Sequence, residues 1–388
     1  QVVEEVMKVA RECGAEELHI AADWSAYARR REERLQAACE EAGIGLTAHP
    51  GVTILDPGAV TPTGGAHFKV FSPYHRAWSE APWREAVGAP RKLSVPADLA
   101  AGELPALEKL TDGTPSPDRP PGGETEARKR MQAFFRDRIA NYDDGHDDLP
   151  NKGTSHISAD IRWGCVSPLE LAVEAREARG GGPFVRQLCW RDFHHQVLAD
   201  FPELPRRDYR PRGDRWSRPE KVFEAWREGR TGYPLVDAGM RQLAAEGYMH
   251  NRARMTVGSF LTKDLYVDWR KGAWHFWDLL CDGEIANNAG LRAPLGARAG
   301  VGARQGDLPA LADGRLRGAR LPRADRRPRR RRRRVPHPPR SLTPSGAFAL
   351  LAAMRSFLRT HREVGDVRCR DGTAGRHPRL QRARSERR

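Results

Sequence analysis

The chain has 388 residues, 39% of them hydrophobic, and 66 Lys and Arg against 51 Asp and Glu for a formal net charge of +15. That length suffices for two or three domains with at least one filled core. No apolar run approaches the ~20 residues of a bilayer crossing, the mean hydropathy is −0.69, and the opening residues lack the basic, apolar, small order of a signal peptide. The expectation is a cytoplasmic protein that does not span a membrane.

The charge is unevenly placed. Residues 291 to 388 hold 27 Arg, no Lys and seven acidic residues, a net of +20, whereas residues 1 to 290 hold 39 basic and 44 acidic residues and total −5. A basic total therefore says nothing about nucleic-acid binding by the body. All ten tryptophans and all seven tyrosines precede residue 291, so the last 98 residues have little with which to build a core. This Arg-rich, low-order tail reads as an out-of-frame translation of GC-rich coding sequence. The alternative is a disordered arm whose Arg326 to Arg334 run binds phosphates. The six cysteines, at 13, 39, 165, 189, 281 and 369, form no CxxC pair and read as buried free thiols, with no metal site.

In chain order, residues 2 to 13 read as a helix with Val3, Val6, Met7 and Ala10 on one face, and Leu18 to Ala22 as a strand. A second helix runs from about Ser25 to Glu41, followed by an extended stretch around Leu46 to Leu55. Helix, strand, helix, strand argues for a doubly wound α/β sheet, of which residues 1 to 88 hold only a part. Residues 89 to 124 are rich in Pro, Gly, Asp and Ser and read as an inter-domain linker. From 125 to 290 the pattern is helical, with apolar periodicity strongest between Tyr233 and Trp269.

Four stretches look chemical: residues 153–158 (GTSHIS), 188–193 (LCWRDF), 247–254 (GYMHNRAR) and 282–288 (DGEIANN). Thr154, Ser155 and Ser158 crowd hydroxyls where a helix starts, a place for a phosphate group or for an ordinary N-cap. Trp190 and Arg191 set an aromatic face beside a cation, which a core tryptophan and a surface arginine explain equally well. His194 and His195 are adjacent and cannot point together at one metal. Asn251 and Arg254 share a helix face, and Asp282, Glu284 and Asn288 carry groups that read the N–H and C=O edges of a heteroaromatic ring. No GxGxxG or GxxxxGK[ST] loop is present, so the common dinucleotide and P-loop readings have no support.

Taken in order, with residues 67–78 (HFKVFSPYHRAW), Tyr142 and residues 232–241 (GYPLVDAGMR), these segments resemble the DNA photolyase/cryptochrome family, most of all its bacterial members acting on cyclobutane pyrimidine dimers. The resemblance covers residues 1 to 290 and not the tail. It implies an α/β antenna domain, here incomplete, followed by an all-α FAD-binding domain. It also implies a DNA-repair lyase that splits the dimer by light-driven electron transfer from reduced FAD, acting as a monomer on ultraviolet-damaged DNA. A second antenna chromophore, of folate or deazaflavin type, is the further cofactor implied. By the same resemblance Tyr142, Thr154, Ser155, His156, Ile157 and Ser158 hold the phosphate and ribityl side of FAD. Phe184, Gln187 and Arg191 line the flavin pocket. Asn251 and Arg254 contact flavin and adenine, Asp282 pairs with Arg254, Glu284 joins the cofactor set, and Asn288 faces flavin N5. Trp190 would stack on the damaged bases, a flipped-out lesion needing an apolar platform, and Gln187 would hydrogen-bond the dimer. Trp216 and Trp269 would be the outer and middle members of a photoreduction tryptophan chain, whose inner position falls on Arg292. Departures from the family pattern are Gln187 for a glutamate, Glu284 for an aspartate, Tyr248 for a tryptophan, and Leu-Arg-Ala-Pro after Gly290. The competing readings are a cryptochrome-type blue-light sensor and a non-functional photolyase fragment.

Overall fold

The computed structural model describes residues 2 to 290 apart from 89, 91, 93, 97–98, 100–101, 107–108, 150–152, 212 and 218–219. Arg292, Cys369 and the Arg326 to Arg334 run lie outside the described residues. All described residues fall within the single unit Gln1–Gly314.

The N-terminal part runs α1 (Val2–Glu12), β1 (Glu17–Ala21), α2 (Ala26–Ala42), β2 (Gly45–His49) and α3 (Phe71–Glu80). β1 and β2 pair in parallel, from Glu17 opposite Gly45 to Ala21 opposite His49, and α2 supplies the crossover that a parallel pair requires. Ser25 caps α2, its Oγ accepting from the Ala28 N–H at 3.2 Å, and Gly43, in the left-handed region at φ 69°, ends it. Met7, Leu35 and Cys39 bury against Leu18, Ile20 and Leu46, so α1 and α2 pack on one face of the two strands.

Two expectations are adjusted. The first strand starts and ends one residue earlier than the sequence pattern suggested, and the extended stretch expected to reach Leu55 stops at His49. Pro50 cannot donate to a ladder, and the Ile54 and Leu55 N–H groups go to the Asp192 carboxylate instead. Among the described residues the sheet has two strands with helices on one face, which is less than a doubly wound sheet.

The remainder is helical: α4 (Glu124–Asp137), α5 (Tyr142–Gly145), α6 (Ser158–Arg162), α7 (Pro168–Glu177), α8 (Gly182–Asp200), α9 (Glu220–Arg227), α10 (Pro234–Glu246), α11 (Asn251–Ser259), α12 (Trp269–Leu279) and α13 (Ile285–Gly290). A π turn, Phe260–Asp264, extends α11. Among the described residues no helix is long and apolar enough to cross a membrane. One core gathers α9 to α12 around Trp226, Leu243, Met249 and Leu261. The larger core joins Ile54, Phe71, Tyr74 and Trp78 of the N-terminal part to Phe134, Leu171, Leu188 and Phe193. Of the cysteines expected to be buried, Cys39 and Cys189 are, while Cys13, Cys165 and Cys281 are partly exposed; all five are free thiols.

The spine of the larger core is α8. It is buried nearly all round, and a helix of that kind must satisfy every polar group it carries into the core. Asp192 and Gln196 do so across the chain, Gln196 accepting from the Phe68 N–H at 2.9 Å and donating to the Phe68 carbonyl at 2.8 Å. The start of α8 leaves no room for error. A Cβ on Gly181 would lie 1.9 Å from the Ala175 carbonyl oxygen and 2.8 Å from its carbon, both backbone atoms. Gly181→Ala is therefore expected to cost about 2–3 kcal/mol, read as a lower urea midpoint at unchanged slope.

Candidate functional site

The segment before α6 is held from several sides. The Arg138 guanidinium donates to the Thr154 carbonyl at 3.0 Å, Ile157 is fully buried, and His156 sits in the left-handed region at φ 57°. A β-unbranched but bulky residue keeps such a backbone only where its surroundings over-determine it; here the His156 ring packs on Tyr248 at 4.7 Å.

Ser158, at the first turn of α6, donates its hydroxyl to Asp282 Oδ2 at 2.7 Å. The same oxygen accepts from Arg254 of α11, also at 2.7 Å, so the expected Arg254–Asp282 pair is made. Arg254 is further braced by donating Nε–H to the Met249 carbonyl at 2.7 Å. The start of α11 is anchored by the His250 ring, which accepts from the Arg252 N–H, and by the two-bond Arg252–Asp147 pair, 2.6 Å on each arm. Two helices, α6 and α11, thus converge on one carboxylate. Asp282 Oδ1 and, on α13, Asn288 Nδ2 are buried with no hydrogen-bond partner, while the Thr154 hydroxyl meets the Tyr248 phenol. Buried polar atoms are paired in the great majority of cases, so unpaired atoms on Asp282 and Asn288 suit a polar ligand.

Tyr142 and Phe184 are both buried. They pack edge-on at 5.4 Å, with Phe134 against both, and burial pushes the Tyr142 phenol above its ordinary range. Asn251, the first residue of α11, is exposed, as is Gln187. Trp190 is half-buried, its ring face to face with Phe71.

Arg191 and Glu284, both expected in the cofactor set, pair with each other. Arg191 donates to the Val52 carbonyl and to Glu284 Oε1 at 2.6 Å, and His195 Nε2 faces the same carboxylate at 3.4 Å. Burial alone would raise the Glu284 carboxyl; the His195 ring and the Arg191 guanidinium overcome it and hold the group well below its ordinary range. These three residues line a cavity of about 660 Å³ that is also lined by Ala21, Asp23, Pro50 and Val52, at the carboxyl ends of β1 and β2. That end of a parallel sheet is where open α/β folds bind ligands.

Trp216 and Trp269 share one corner of the fold, because a bridge pairs Ser217 with Val267. The Trp216 ring contacts Tyr266 at 5.4 Å, and Trp269 donates its indole N–H to Asp208 at 2.5 Å. The position of the inner chain member lies outside the described residues.

Sequence reasoning missed Asp192, Phe71 and the His195–Glu284 contact. Only Asp192 left a signal, as a carboxylate in the middle of an otherwise apolar helical stretch. Its two oxygens accept from the Ile54 and Leu55 N–H groups and from the Trp78 indole, the last two at 3.0 Å.

Comparison with known proteins adds to this geometry. The chain matches two family models, one described as DNA photolyase over residues 1–92 and one as the FAD binding domain of DNA photolyase over residues 184–305. The second match extends 15 residues beyond Gly290, past the limit expected from the motifs. A deoxyribodipyrimidine photo-lyase of Streptomyces griseus is 52% identical over 288 residues, 73% of this chain and 63% of that protein. A class III photolyase of Agrobacterium tumefaciens superimposes with a TM-score of 0.69 at 27% identity, covering 76% of this chain and 64% of its own. An archaeal photolyase of Sulfolobus tokodaii, solved with two FAD molecules, superimposes with a TM-score of 0.63 at 28% identity, covering 76% and 65%. The chain spans somewhat under two thirds of the length of the curated relatives it matches.

Proposed function

Since the chain belongs to the DNA photolyase family, we propose that it binds FAD against residues 154–158, α11 and α13 and uses it to split cyclobutane pyrimidine dimers in damaged DNA under light. The observation that carries this reading is the Ser158–Asp282–Arg254 knot, whose Asp282 Oδ1 is buried without a partner, as is Asn288 Nδ2 on α13. Hydroxyl and backbone donors suit phosphate, a guanidinium–carboxylate pair suits the polar edge of a flavin or adenine ring, and an amide suits a ring nitrogen. The residues present fit the group.

When bound and reduced, FAD supplies the light-driven electron, and the chemistry is the cofactor's. The chain's own residues bind, orient and exclude water. Thr154, Ser155 and Ser158 receive the phosphate side. Arg254, fixed by Asp282 and the Met249 carbonyl, presents a cation that cannot swing away, and the apolar wall of Tyr142, Phe184 and Ile157 keeps the cradle dry. Asn288 offers an amide rather than a carboxylate to the ring. Trp190 offers an aromatic surface to flipped-out bases, beside the exposed Gln187. On this reading residues 1–88 belong to a doubly wound α/β antenna domain, 125–290 to the FAD-binding domain, and 89–124 join them. The 660 Å³ cavity at the carboxyl ends of β1 and β2 then takes a second, light-harvesting ligand, with Arg191 and Glu284 serving that cavity and not the flavin. The cryptochrome reading has less support, since the curated relatives of Streptomyces griseus, Synechococcus and Vibrio cholerae are each named deoxyribodipyrimidine photo-lyase.

The test is the absorption spectrum of the purified full chain followed by repair of an oligonucleotide bearing one thymine dimer, in light and in darkness. Bound flavin with light-dependent repair is expected. Folded protein that takes up no FAD overturns the reading. Arg254→Ala is expected to weaken FAD binding more than tenfold, the loss of charge-assisted hydrogen bonds, in an equilibrium titration of the apoprotein.

A further inference from the structure

The Trp190 indole is not a free surface. Phe71, the first residue of α3, lies against it with ring centroids 3.6 Å apart and planes 6° from parallel. Phe193 closes the edge, 88° to Trp190 at 5.6 Å and 87° to Phe71 at 5.8 Å. His194, one turn along α8, lies 5.8 Å from the indole at 28°, and the Arg186 guanidinium lies 5.6 Å from the Phe71 ring. Arg186, Trp190 and His194 are four residues apart on one helix, so they share a stripe, and Phe71 is the ring that the N-terminal part inserts into it. Phe71 is itself 5% exposed, held from behind by the α3 residue Tyr74, whose ring meets Phe193 at 5.5 Å.

Stacked on one face and blocked at one edge, the indole has a single orientation. An aromatic side chain with two free torsions otherwise turns about χ1 and χ2, and a base arriving from DNA would have to wait for, and entropically freeze, the productive rotamer. We propose that Phe71 is a positioning residue for damaged-base recognition: the N-terminal part, by stacking on Trp190, holds the indole in the orientation that receives the flipped-out pyrimidines. Discrimination between damaged and undamaged DNA is on this basis shared between the two parts of the chain, although only α8 touches the bases. The inference rests on the reading above that Trp190 receives the damaged bases.

The experiment uses the full chain with Phe71→Leu, which removes the ring but keeps apolar bulk, Phe71→Tyr, which keeps the ring, and Trp190→Phe as reference. Binding in darkness is measured by fluorescence anisotropy on an oligothymidylate with one cyclobutane dimer and on its undamaged twin, with flavin content read on each preparation. Phe71→Leu is expected to weaken binding of the damaged strand about five- to tenfold, with undamaged binding and flavin content unchanged, and Phe71→Tyr to stay within about twofold of the parent. Retained discrimination in Phe71→Leu overturns the proposal, as does loss of flavin and of damaged-strand binding together. A second arm needs no DNA. The near-ultraviolet circular-dichroism band that disappears in Trp190→Phe is expected to collapse in Phe71→Leu and to survive in Phe71→Tyr; its survival in Phe71→Leu overturns the proposal. A parent chain that carries flavin and shows this band but binds both strands equally would sink the repair reading while the band still decides whether Phe71 orients Trp190.

Discussion

Asp192→Ala is expected to lower the free energy of unfolding by about 3–5 kcal/mol. The side chain is 1% exposed, and its carboxylate collects two backbone N–H groups and the Trp78 indole from the N-terminal part. Removing it strands three buried donors, each costing about 1–3 kcal/mol when unpaired, and opens a cavity in a core that relaxes only partly. The 52–55 segment it anchors also supplies the Val52 carbonyl to Arg191 and the Ile54 carbonyl to Arg84, the latter at 2.7 Å. Release of that segment should therefore loosen the wall of the 660 Å³ cavity. Asp192→Asn keeps an acceptor at the oxygen that makes the three shortest bonds and is expected to cost about 1 kcal/mol. Urea titrations of both variants followed by tryptophan fluorescence check this; equal losses would show that the charge, and not the acceptor geometry, holds the segment.

Stability is expected to fall by about 3 kcal/mol as the pH drops from 6.5 to 4, and His194→Phe is expected to remove most of that fall. His194 is 5% exposed, and burial, with His195 beside it, pushes its imidazole down to about 4. The unfolded chain takes up the proton near pH 6.5, the folded chain only near 4. Between those values the unfolded state binds more protons, so stability is complete above pH 6.5 and is lost progressively below it. Phenylalanine keeps the ring beside Trp190 and has no proton to take. His275, also pushed down to about 4 by burial, keeps a smaller slope in the same window because it is partly exposed to solvent. Glu284 extends the effect to lower pH: its folded carboxyl lies below its ordinary range, so the stability it contributes is present above about pH 4.3 and is lost as the pH falls further. Thermal midpoints of parent and variant at several pH values between 4 and 7 check the prediction; parallel profiles would refute it.

Local signals carried much of the N-terminal reading. The helix face of Val3, Val6, Met7 and Ala10 and the alternation around Leu18 and Ile20 each follow from burying one side of an element, a property of neighbours in sequence. The four chemical segments were also legible, because hydroxyls, amides and charged groups clustered within single turns are rare enough to be noticed without a fold. What they point at was not. Asp282 and Glu284 stand two apart and read alike, yet one turns to Ser158 and Arg254 and the other to Arg191 and His195.

The sequence by itself determined the elements, the composition break at residue 290 and the residue types of the site, since periodicity, capping and charge are set over a few residues. Only the tertiary structure decided that Phe71 backs Trp190 across 119 positions and that Asp192 reaches Ile54 across 138. It also decided that Arg191 belongs to the cavity wall. Those contacts join groups distant along the chain, and their partners are selected by packing and by the need to pair every buried polar atom, conditions that no local pattern encodes.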